Sequence, residues 1–151
     1  MISNIMKNME LKPLFVQDWK LVEELEKGSE NVFFCSCNGE EGFKKYLVES
    51  RVFAVMKEGV AIGTISYKDE GENILINGLT VLPEYRGQGI AQESMKKLMT
   101  TLGNKNCSLV VHPENTPALL IYLHIGFVIK EWRDNFFGNN QPRLYLVKKN
   151  Q

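Results

Sequence analysis

The alternation of hydrophobic and polar residues along the chain predicts both strands and helices, starting with a short strand. The run LKPLFVQ at 11–17 is typical of a strand. A helix is predicted between Asp18, a preferred N-cap residue, and Gly28, a residue type that commonly ends helices. A second helix is predicted after Asn38, which with Glu41 has the spacing of a capping box.

The middle of the chain predicts three strands joined by tight turns. The segment RVFAVMKEGVAIGTISYK at 51–68 holds two β-rich runs around a Glu-Gly dipeptide, a pattern typical of a hairpin. The turn DEGE at 69–72 leads into NILINGLTVL, in which Gly78 indicates a bulge or a close approach to the backbone. Strands connected in this way form an antiparallel meander.

The last part of the chain predicts two helices and three strands. Apolar residues recur with helical spacing over 90–102, and CSLVVH at 107–112 is typical of a buried strand. A helix is predicted over 116–125, and FVIKEW and RLYLVK are the last two strands. The order β-α-α-β-β-β-α-β-α-β-β predicts a mixed α/β fold, mostly antiparallel, as a single domain over 1–151.

Composition and charge exclude several classes of protein. With 44% hydrophobic and 24% charged residues, the chain has the composition of an ordinary globular domain. The 18 basic residues balance the 18 acidic ones, which argues against a nucleic-acid-binding protein. No apolar run has the length of a signal peptide core or of a membrane span. We therefore expect no nucleic-acid partner and no membrane association.

The cysteines predict a reducing compartment and no metal. Cys35, Cys37 and Cys107 are odd in number and lack the spacing of a disulfide framework, which favours the cytoplasm. Cys35-Ser36-Cys37 supplies half of a metal site, but two histidines and no second cysteine pair are available to complete it. Buried thiols are the expected alternative.

A glycine-rich loop, RGQGIA at 86–91, separates the third strand of the meander from the next helix. The first turn of a helix carries unpaired N–H groups and partial positive charge, so it attracts anions. Gly87 and Gly89 would let a phosphate approach these donors, and Arg86 adds a cation. A simple tight connection is the alternative explanation of the two glycines.

Two well-known phosphate-binding loops do not fit this segment. A Walker loop ends in Gly-Lys-Ser/Thr, whereas this one ends in Gly-Ile-Ala. The dinucleotide-binding fingerprint places a third glycine where this chain has Gln92. A third pattern does fit.

Arg86-x-x-Gly89-x-Ala91 resembles the acyl-CoA signature Arg/Gln-x-x-Gly-x-Gly/Ala of the GNAT family of N-acetyltransferases. The segment NTPALLIYLHIGF at 115–127 is similar to the family's Asn-x-x-Ala-x-x-x-Tyr-x-x-x-Gly-Phe run. The resemblance covers nearly the whole chain and is strongest over 74–127. It implies the acyl-CoA N-acyltransferase fold and a transfer of acetyl from acetyl-CoA to a primary amine, by direct attack in a ternary complex.

The resemblance also assigns roles to individual residues. Two strands would splay apart to admit the pantetheine arm, with main-chain groups of Leu79 and Val81 facing the arm and the thioester carbonyl. Asn115 would contact the arm from the other side, and Tyr122 would donate a proton to the departing sulfur. From the residues alone, a packed aromatic on the amphipathic stripe of the helix is the favoured interpretation of Tyr122, and it is the match to the family's spacing that favours the catalytic role. The pyrophosphate would be held by six residues, Arg86, Gly87, Gln88, Gly89, Ile90 and Ala91.

The base that takes the proton of the amine is not assigned by this resemblance. Many relatives have a carboxylate where this chain has Asn77 and Gly78, and neither residue can serve as a base. Histidine is a residue type that can act as a base near neutral pH, so His112 is a candidate, with a structural role as its alternative. Glu72, Glu114 and bulk water are further candidates for taking this proton.

The acceptor and the class of function leave alternatives open. The segment EWRDNFFGNNQPR at 131–143 would line an acceptor site or form a homodimer contact. A dimer contact would bury Phe136 and Phe137, which are otherwise exposed aromatic side chains. Both small-molecule and peptide amines fit the sequence as acceptors. A non-catalytic acyl-CoA binding or sensing domain is the second hypothesis, favoured by the missing carboxylate at Asn77 and opposed by Tyr122.

Overall fold

The computed structural model describes residues 8–29, 37–103 and 105–149. The strands are β1 (Met9–Leu14), β2 (Arg51–Lys57), β3 (Val60–Asp69), β4 (Asn73–Val81), β5 (Asn106–Val111), β6 (Val128–Arg133) and β7 (Arg143–Lys148). The helices are α1 (Trp19–Glu26), α2 (Gly39–Glu49), α3 (Ile90–Leu102) and α4 (Thr116–Ile125), with 3-10 turns at Val16–Asp18 and Pro83–Tyr85. The predicted order of strands and helices is confirmed.

All of these strands belong to one mixed sheet with the order β1-β2-β3-β4-β5-β7-β6. Neighbouring strands are antiparallel except for β4 and β5, which run parallel. The predicted meander is present as β2, β3 and β4. Its first turn places Glu58 and Gly59 at φ +50° and +78°, the left-handed backbone that a two-residue hairpin turn requires.

Helices cover both faces of the sheet, and strand alternation divides the core between them. On β2, Val52 and Ala54 pack with α1 and α2, whereas Phe53 and Val55 pack with α3 and α4. Successive strand residues point to opposite faces, so a single strand contributes to both cores. The fold is therefore a three-layer α/β arrangement.

The N-terminal predictions are wrong in three local details. The first strand ends at Leu14, because the next residues turn into the 3-10 segment Val16–Asp18. Asp18 does precede α1, but its Oδ2 accepts a hydrogen bond from the Phe15 N–H at 2.8 Å and makes none to that helix. Asn38 is the N-cap of α2, but its side chain makes no capping hydrogen bond, so the predicted capping box does not form.

The cysteine prediction is only partly covered by the structure. Cys35 and Ser36 lie outside the described residues. Cys37 is half-buried and Cys107 is buried. Among the helices of the described ranges, none combines the length and the apolar character needed to cross a membrane.

Candidate active site

A wedge opens in the sheet between β4 and β5. The two strands pair only where Asn73–Leu75 lies beside Asn106–Ser108. Beyond this point β4 continues to Val81 and β5 to Val111 without further pairing to each other. The facing edges of both strands are therefore available to a ligand, as the splayed arrangement predicted from sequence requires.

The main chain of β4 presents hydrogen-bonding groups to this wedge. The Leu82 N–H donates to the Ile62 carbonyl at 2.9 Å, which fixes the residues of β4 that bond to β3. Because bonding alternates along an antiparallel pair, Leu79 and Val81 direct their N–H and C=O groups away from β3 and toward the wedge. The Val81 carbonyl indeed accepts a hydrogen bond from Arg86 Nε at 2.8 Å.

The glycine loop, residues 86–91, lies at the end of β4 and leads directly into α3. Gly87 and Gly89 have φ +78° and +80°, a left-handed backbone that glycine adopts without strain. Gly89 is the N-cap of α3, and no side chain caps that helix. Gln88 is exposed in the loop, while Ile90 is buried and anchors the first turn. The N–H groups of this turn can therefore receive an anion.

Arg86 connects three parts of the site. Its Nε donates to the Val81 carbonyl at 2.8 Å, and its Nη2 donates to the Gly28 carbonyl at 3.4 Å. The guanidinium thus joins the glycine loop to the end of β4 and to the residues that follow α1. Its charge is held at the base of the loop, which is the position expected of a cation for a phosphate.

Tyr122 lies on α4, and Asn115 directly precedes this helix in the segment that follows β5. Asn115 is the N-cap of α4, and its N–H donates to the His112 carbonyl at 2.9 Å. Tyr122 is 9% exposed and packs edge-on against Phe127, with ring centroids 6.1 Å apart. Burial raises the pKa of the Tyr122 phenol to about 12, so it remains protonated across the physiological range.

His112 is buried and has partners on both ring nitrogens. Nδ1 accepts a hydrogen bond from the Glu114 N–H at 3.1 Å, so the proton lies on Nε2, which contacts Gln141 Oε1 at 2.9 Å. A base needs an available lone pair, and the lone pair of Nδ1 is already used. This geometry favours the structural role of His112, which fastens the β6–β7 loop beside the end of β5.

The other sequence candidates are placed away from the wedge or at its rim. Glu72 lies in the turn before β4, at the end of the strand opposite to the glycine loop. Phe136 and Phe137 are 39% and 43% exposed and pack edge-on against each other in the β6–β7 loop. Exposure of this pair is what both sequence hypotheses for that loop, an acceptor wall or a dimer contact, predict.

A hydrogen-bonded chain runs beneath α2 on the opposite face from Tyr122, and we call it the Tyr46 network. The Tyr46 hydroxyl donates to Ser66 Oγ, and Ser66 Oγ donates to Asn77 Oδ1 at 2.7 Å. Asn77 Nδ2 then donates to Ser50 Oγ at 2.9 Å. Asn77 is the bulged residue of β4, because the pairing with β3 skips it. The network fastens this bulge.

The close packing around Gly78 explains why this position of β4 cannot carry a carboxylate side chain. A Cβ atom on Gly78 would lie 2.5 Å from Ser66 Oγ and 2.8 Å from the Tyr46 hydroxyl, closer than atoms can approach. The bulge and the close approach predicted at Gly78 are both present. The Tyr46 network occupies the space that a longer side chain would need.

Sequence reasoning missed one ionisable group, Glu26, in the last turn of α1. It follows the fully buried Val22 by four residues, so both lie on the helix face that packs on the sheet. Glu26 Oε2 is shielded from solvent, and it has no hydrogen-bond partner among the described residues. Burial raises the pKa of the Glu26 carboxyl to about 7. A carboxylate at a position of the apolar stripe was the available signal.

The negative charge of Glu26 acts on the neighbouring Tyr46. Burial, and next the negative charge of Glu26, raise the pKa of the Tyr46 phenol. Tyr46 is therefore neutral and acts as a hydrogen-bond donor. Glu26 and the Tyr46 network form one polar region between α1, α2 and the bulge of β4.

The buried carboxyl predicts an unusual dependence of stability on pH. The folded protein holds the Glu26 proton up to about pH 7, whereas the unfolded chain releases it near 4.5. The free energy of unfolding should therefore fall between these pH values, by up to about 3 kcal/mol. Glu26→Gln should lack this decline and be more stable than the natural protein at pH 8. Urea unfolding at pH 4, 6 and 8 measures this, and parallel pH dependences of the two proteins would contradict it.

A mixed sheet split between two parallel strands, with a glycine loop leading into the following helix, is the acyl-CoA N-acyltransferase fold. A model of the acetyltransferase (GNAT) family matches residues 16–127. The chain therefore belongs to the GNAT family, and the resemblance read from the sequence is confirmed.

Solved structures agree on the fold. A chimera of the spermidine N-acetyltransferase SpeG from Vibrio cholerae and hSSAT has a TM-score of 0.78 at 19% identity, covering 93% of this chain and 95% of that one. A GNAT acetyltransferase from Elizabethkingia anophelis with acetyl-CoA bound has a TM-score of 0.72 at 18% identity, covering 95% and 99%.

A curated relative is similar over a shorter segment. Thialysine N-epsilon-acetyltransferase from Mus musculus is 37% identical over 59 residues, which are 37% of this chain and 35% of the mouse protein. The match thus spans about a third of that relative's length. The match supports membership of the family and does not identify the acceptor of this chain.

Proposed function

We propose that this protein transfers the acetyl group of acetyl-CoA to a primary amine by direct attack within a ternary complex. The observation that carries the proposal is the wedge between β4 and β5, with main-chain groups of Leu79 and Val81 directed into it and an uncapped helix start at its end. These parts together form a continuous path for an extended thioester that ends in a diphosphate.

The residues present fit such a ligand. The N–H groups at the start of α3 and the Arg86 guanidinium supply donors and positive charge for the pyrophosphate. Leu79 and Val81 offer the arm the hydrogen bonds that a neighbouring strand would otherwise make. A β4 N–H aimed at the thioester carbonyl would stabilise the negative charge that develops there when the amine attacks. Asn115, the N-cap of α4, would contact the arm from the other side.

Tyr122 suits the departing sulfur as a hydrogen-bond donor. A thiol has a pKa of about 8.5, whereas burial raises the pKa of Tyr122 to about 12. Complete proton transfer from the phenol to the thiolate would therefore cost about 5 kcal/mol. Tyr122 instead stabilises the thiolate through its hydroxyl, and solvent supplies the proton after release.

The proposed acceptor is a small alkylamine. The mouse relative is named for thialysine and the Vibrio cholerae chimera for spermidine, and both are amines. The balanced charge of this chain gives no sign of a nucleic-acid partner. We place the reaction in the cytoplasm, because three cysteines without the spacing of a disulfide framework favour a reducing compartment.

A panel of amines tests the proposal. Spermidine, thialysine, lysine and a peptide with a free N-terminus are each incubated with acetyl-CoA and the protein, and thiol release is followed with mass analysis of the amine. We expect at least one alkylamine to raise thiol release about tenfold or more above the acceptor-free rate, with one acetyl group gained. Tight coenzyme A binding by calorimetry without turnover on any amine would overturn the proposal and favour a sensing domain.

A further inference from the structure

The end of α1 adjoins the mouth of the wedge. A single guanidinium, that of Arg86, contacts the Val81 carbonyl through Nε and the Gly28 carbonyl through Nη2. A Cβ atom on Gly28 would lie 3.2 Å from Pro83 Cγ, in the turn that follows β4. The last turn of α1 is thereby held against the end of β4, next to the residues that would face the thioester.

Glu26, in this last turn, has no structural reason to be a carboxylate. Burying a charged oxygen without a partner is costly, and an apolar residue would serve the packing of α1 better. No ion pair to Glu26 is found among the described residues, and Oε2 has no hydrogen-bond donor there. A buried, unmatched carboxylate oxygen is a site for a cationic donor such as an ammonium group.

Burial, rather than the charge of a neighbouring group, sets the pKa of Glu26. Tyr46 on α2 carries a phenol whose pKa is raised by burial and then by Glu26, so it stays neutral. Cys37, which precedes α2, also acts on that phenol. The sheet contributes the neutral Ser66, which is hydrogen-bonded to Tyr46, and the Arg86 guanidinium is bonded to main-chain carbonyls. Desolvation by burial is the cause that raises the pKa of Glu26.

The two faces of the sheet separate Glu26 from Tyr122. Tyr46 packs in the core beneath α1 and α2, whereas Tyr122 packs in the core beneath α3 and α4. An amine approaching the thioester from the α1 side would meet Glu26, and the sulfur would leave toward Tyr122. The arrangement thus places a base and a hydrogen-bond donor for the thiolate on opposite sides of the reacting carbonyl.

We propose that Glu26 is the catalytic base, which binds the acceptor as an ammonium ion and removes its proton. This inference rests on the proposed acetyl transfer. The Glu26 carboxylate takes a proton from the ammonium, and the freed nitrogen forms a bond to the thioester carbon. The carbon–sulfur bond then breaks and the electron pair leaves on the sulfur beside Tyr122. The nitrogen loses its second proton to solvent, which leaves the neutral amide, and Glu26 releases its own proton to solvent.

The energetics fit this role. An alkylamine with a pKa of about 10.4 is neutral in about one molecule in 2,500 at pH 7, so a base is needed. A pKa of about 7 makes Glu26 a better proton acceptor than an ordinary carboxylate with a value of 4.5. At neutral pH about half of the Glu26 side chains are still ionised and able to act.

The test compares Glu26→Gln with Glu24→Gln, which changes an exposed carboxylate on the same helix. With the best amine of the panel, Glu26→Gln should lower kcat/KM about 100-fold at pH 7.5, and the rise of the natural protein's profile near pH 7 should disappear. Activity should recover toward pH 10, where roughly a third of an amine with a pKa of about 10.4 is neutral. The affinity for coenzyme A should stay within about twofold, and Glu24→Gln should match the natural protein.

Failure of the role of Glu26 and failure of the proposed acetyl transfer would give different results. Turnover by the natural protein together with an unchanged rate and pH profile in Glu26→Gln would overturn the role of Glu26 alone. Absence of turnover by the natural protein on every amine would overturn the proposed acetyl transfer instead. Glu26→Ala, assayed with added formate, is a second variant: a formate-dependent gain in rate supports the base, and a rate equal to the natural protein's without formate contradicts it.

Discussion

Replacing Gly89 by valine should weaken the binding of coenzyme A by about 30-fold or more. Gly89 has φ +80°, and a β-branched residue held in that conformation costs about 2 kcal/mol. A loop that relaxes away from this strain no longer directs the first N–H groups of α3 at a phosphate. Binding would then have to restore the strained conformation, and the affinity would fall.

Isothermal titration calorimetry with coenzyme A measures this effect, and Gly103→Val is the matched control. Gly103 is the residue after the last turn of the same helix and has φ +68°, so its replacement introduces a similar backbone strain far from the loop. Both variants should unfold at a lower temperature, but only Gly89→Val should lose affinity. Equal affinities for coenzyme A in the two variants would remove the loop from the binding site.

Removing the Tyr122 hydroxyl should have the second large effect, on turnover. Tyr122→Phe retains the ring that packs on Phe127 but loses the donor for the departing thiolate. We expect kcat to fall about 100-fold while the affinity for acetyl-CoA changes by less than about twofold. Because burial raises the pKa of this phenol to about 12, the natural protein should show no loss of kcat from its ionisation below pH 10.

Steady-state kinetics of Tyr122→Phe beside Tyr67→Phe separate this role from a general effect of losing a hydroxyl. Tyr67 is half-buried and stacks on Phe53 with ring centroids 6.2 Å apart, on β3. Its variant should keep the rate of the natural protein. A kcat for Tyr122→Phe within a factor of about two of the natural value would show that the phenol only packs.

The parts of this site that were predictable from sequence are those with local causes. Gly87 and Gly89 are required by the backbone conformation of a few adjacent residues, so the loop could be identified from its letters. The hairpin at Glu58-Gly59 is predictable for the same reason. The helix that carries Tyr122 could be predicted from the spacing of its apolar residues and from Gly126, where the structure also ends it.

Other features depend on which elements meet in space, and sequence reasoning could not supply them. The order of β6 and β7 in the sheet is set by pairing with β5 far along the chain. Asp18 was predicted to cap α1, but a neighbouring turn competed for its carboxylate through the Phe15 N–H. Glu26 stands out only once α1 is seated on the sheet, because it is its burial there that distinguishes it from exposed carboxylates such as Glu24.

His112 is a second residue whose role depends on contacts that the sequence does not reveal. Its residue type made it a candidate base, and a structural role was the competing interpretation. The contacts to the Glu114 N–H and to Gln141 come from two different loops, and together they favour the structural role. The chemistry of a histidine here depends on its partners, which lie outside its local sequence.

A crystal structure of this protein grown with coenzyme A tests the central claim most directly. We predict the diphosphate on the main-chain N–H groups of residues 86–91, and the pantetheine arm in the wedge beside Leu79 and Val81. Density for coenzyme A at any other surface, or none after soaking at saturating concentration, would contradict the account.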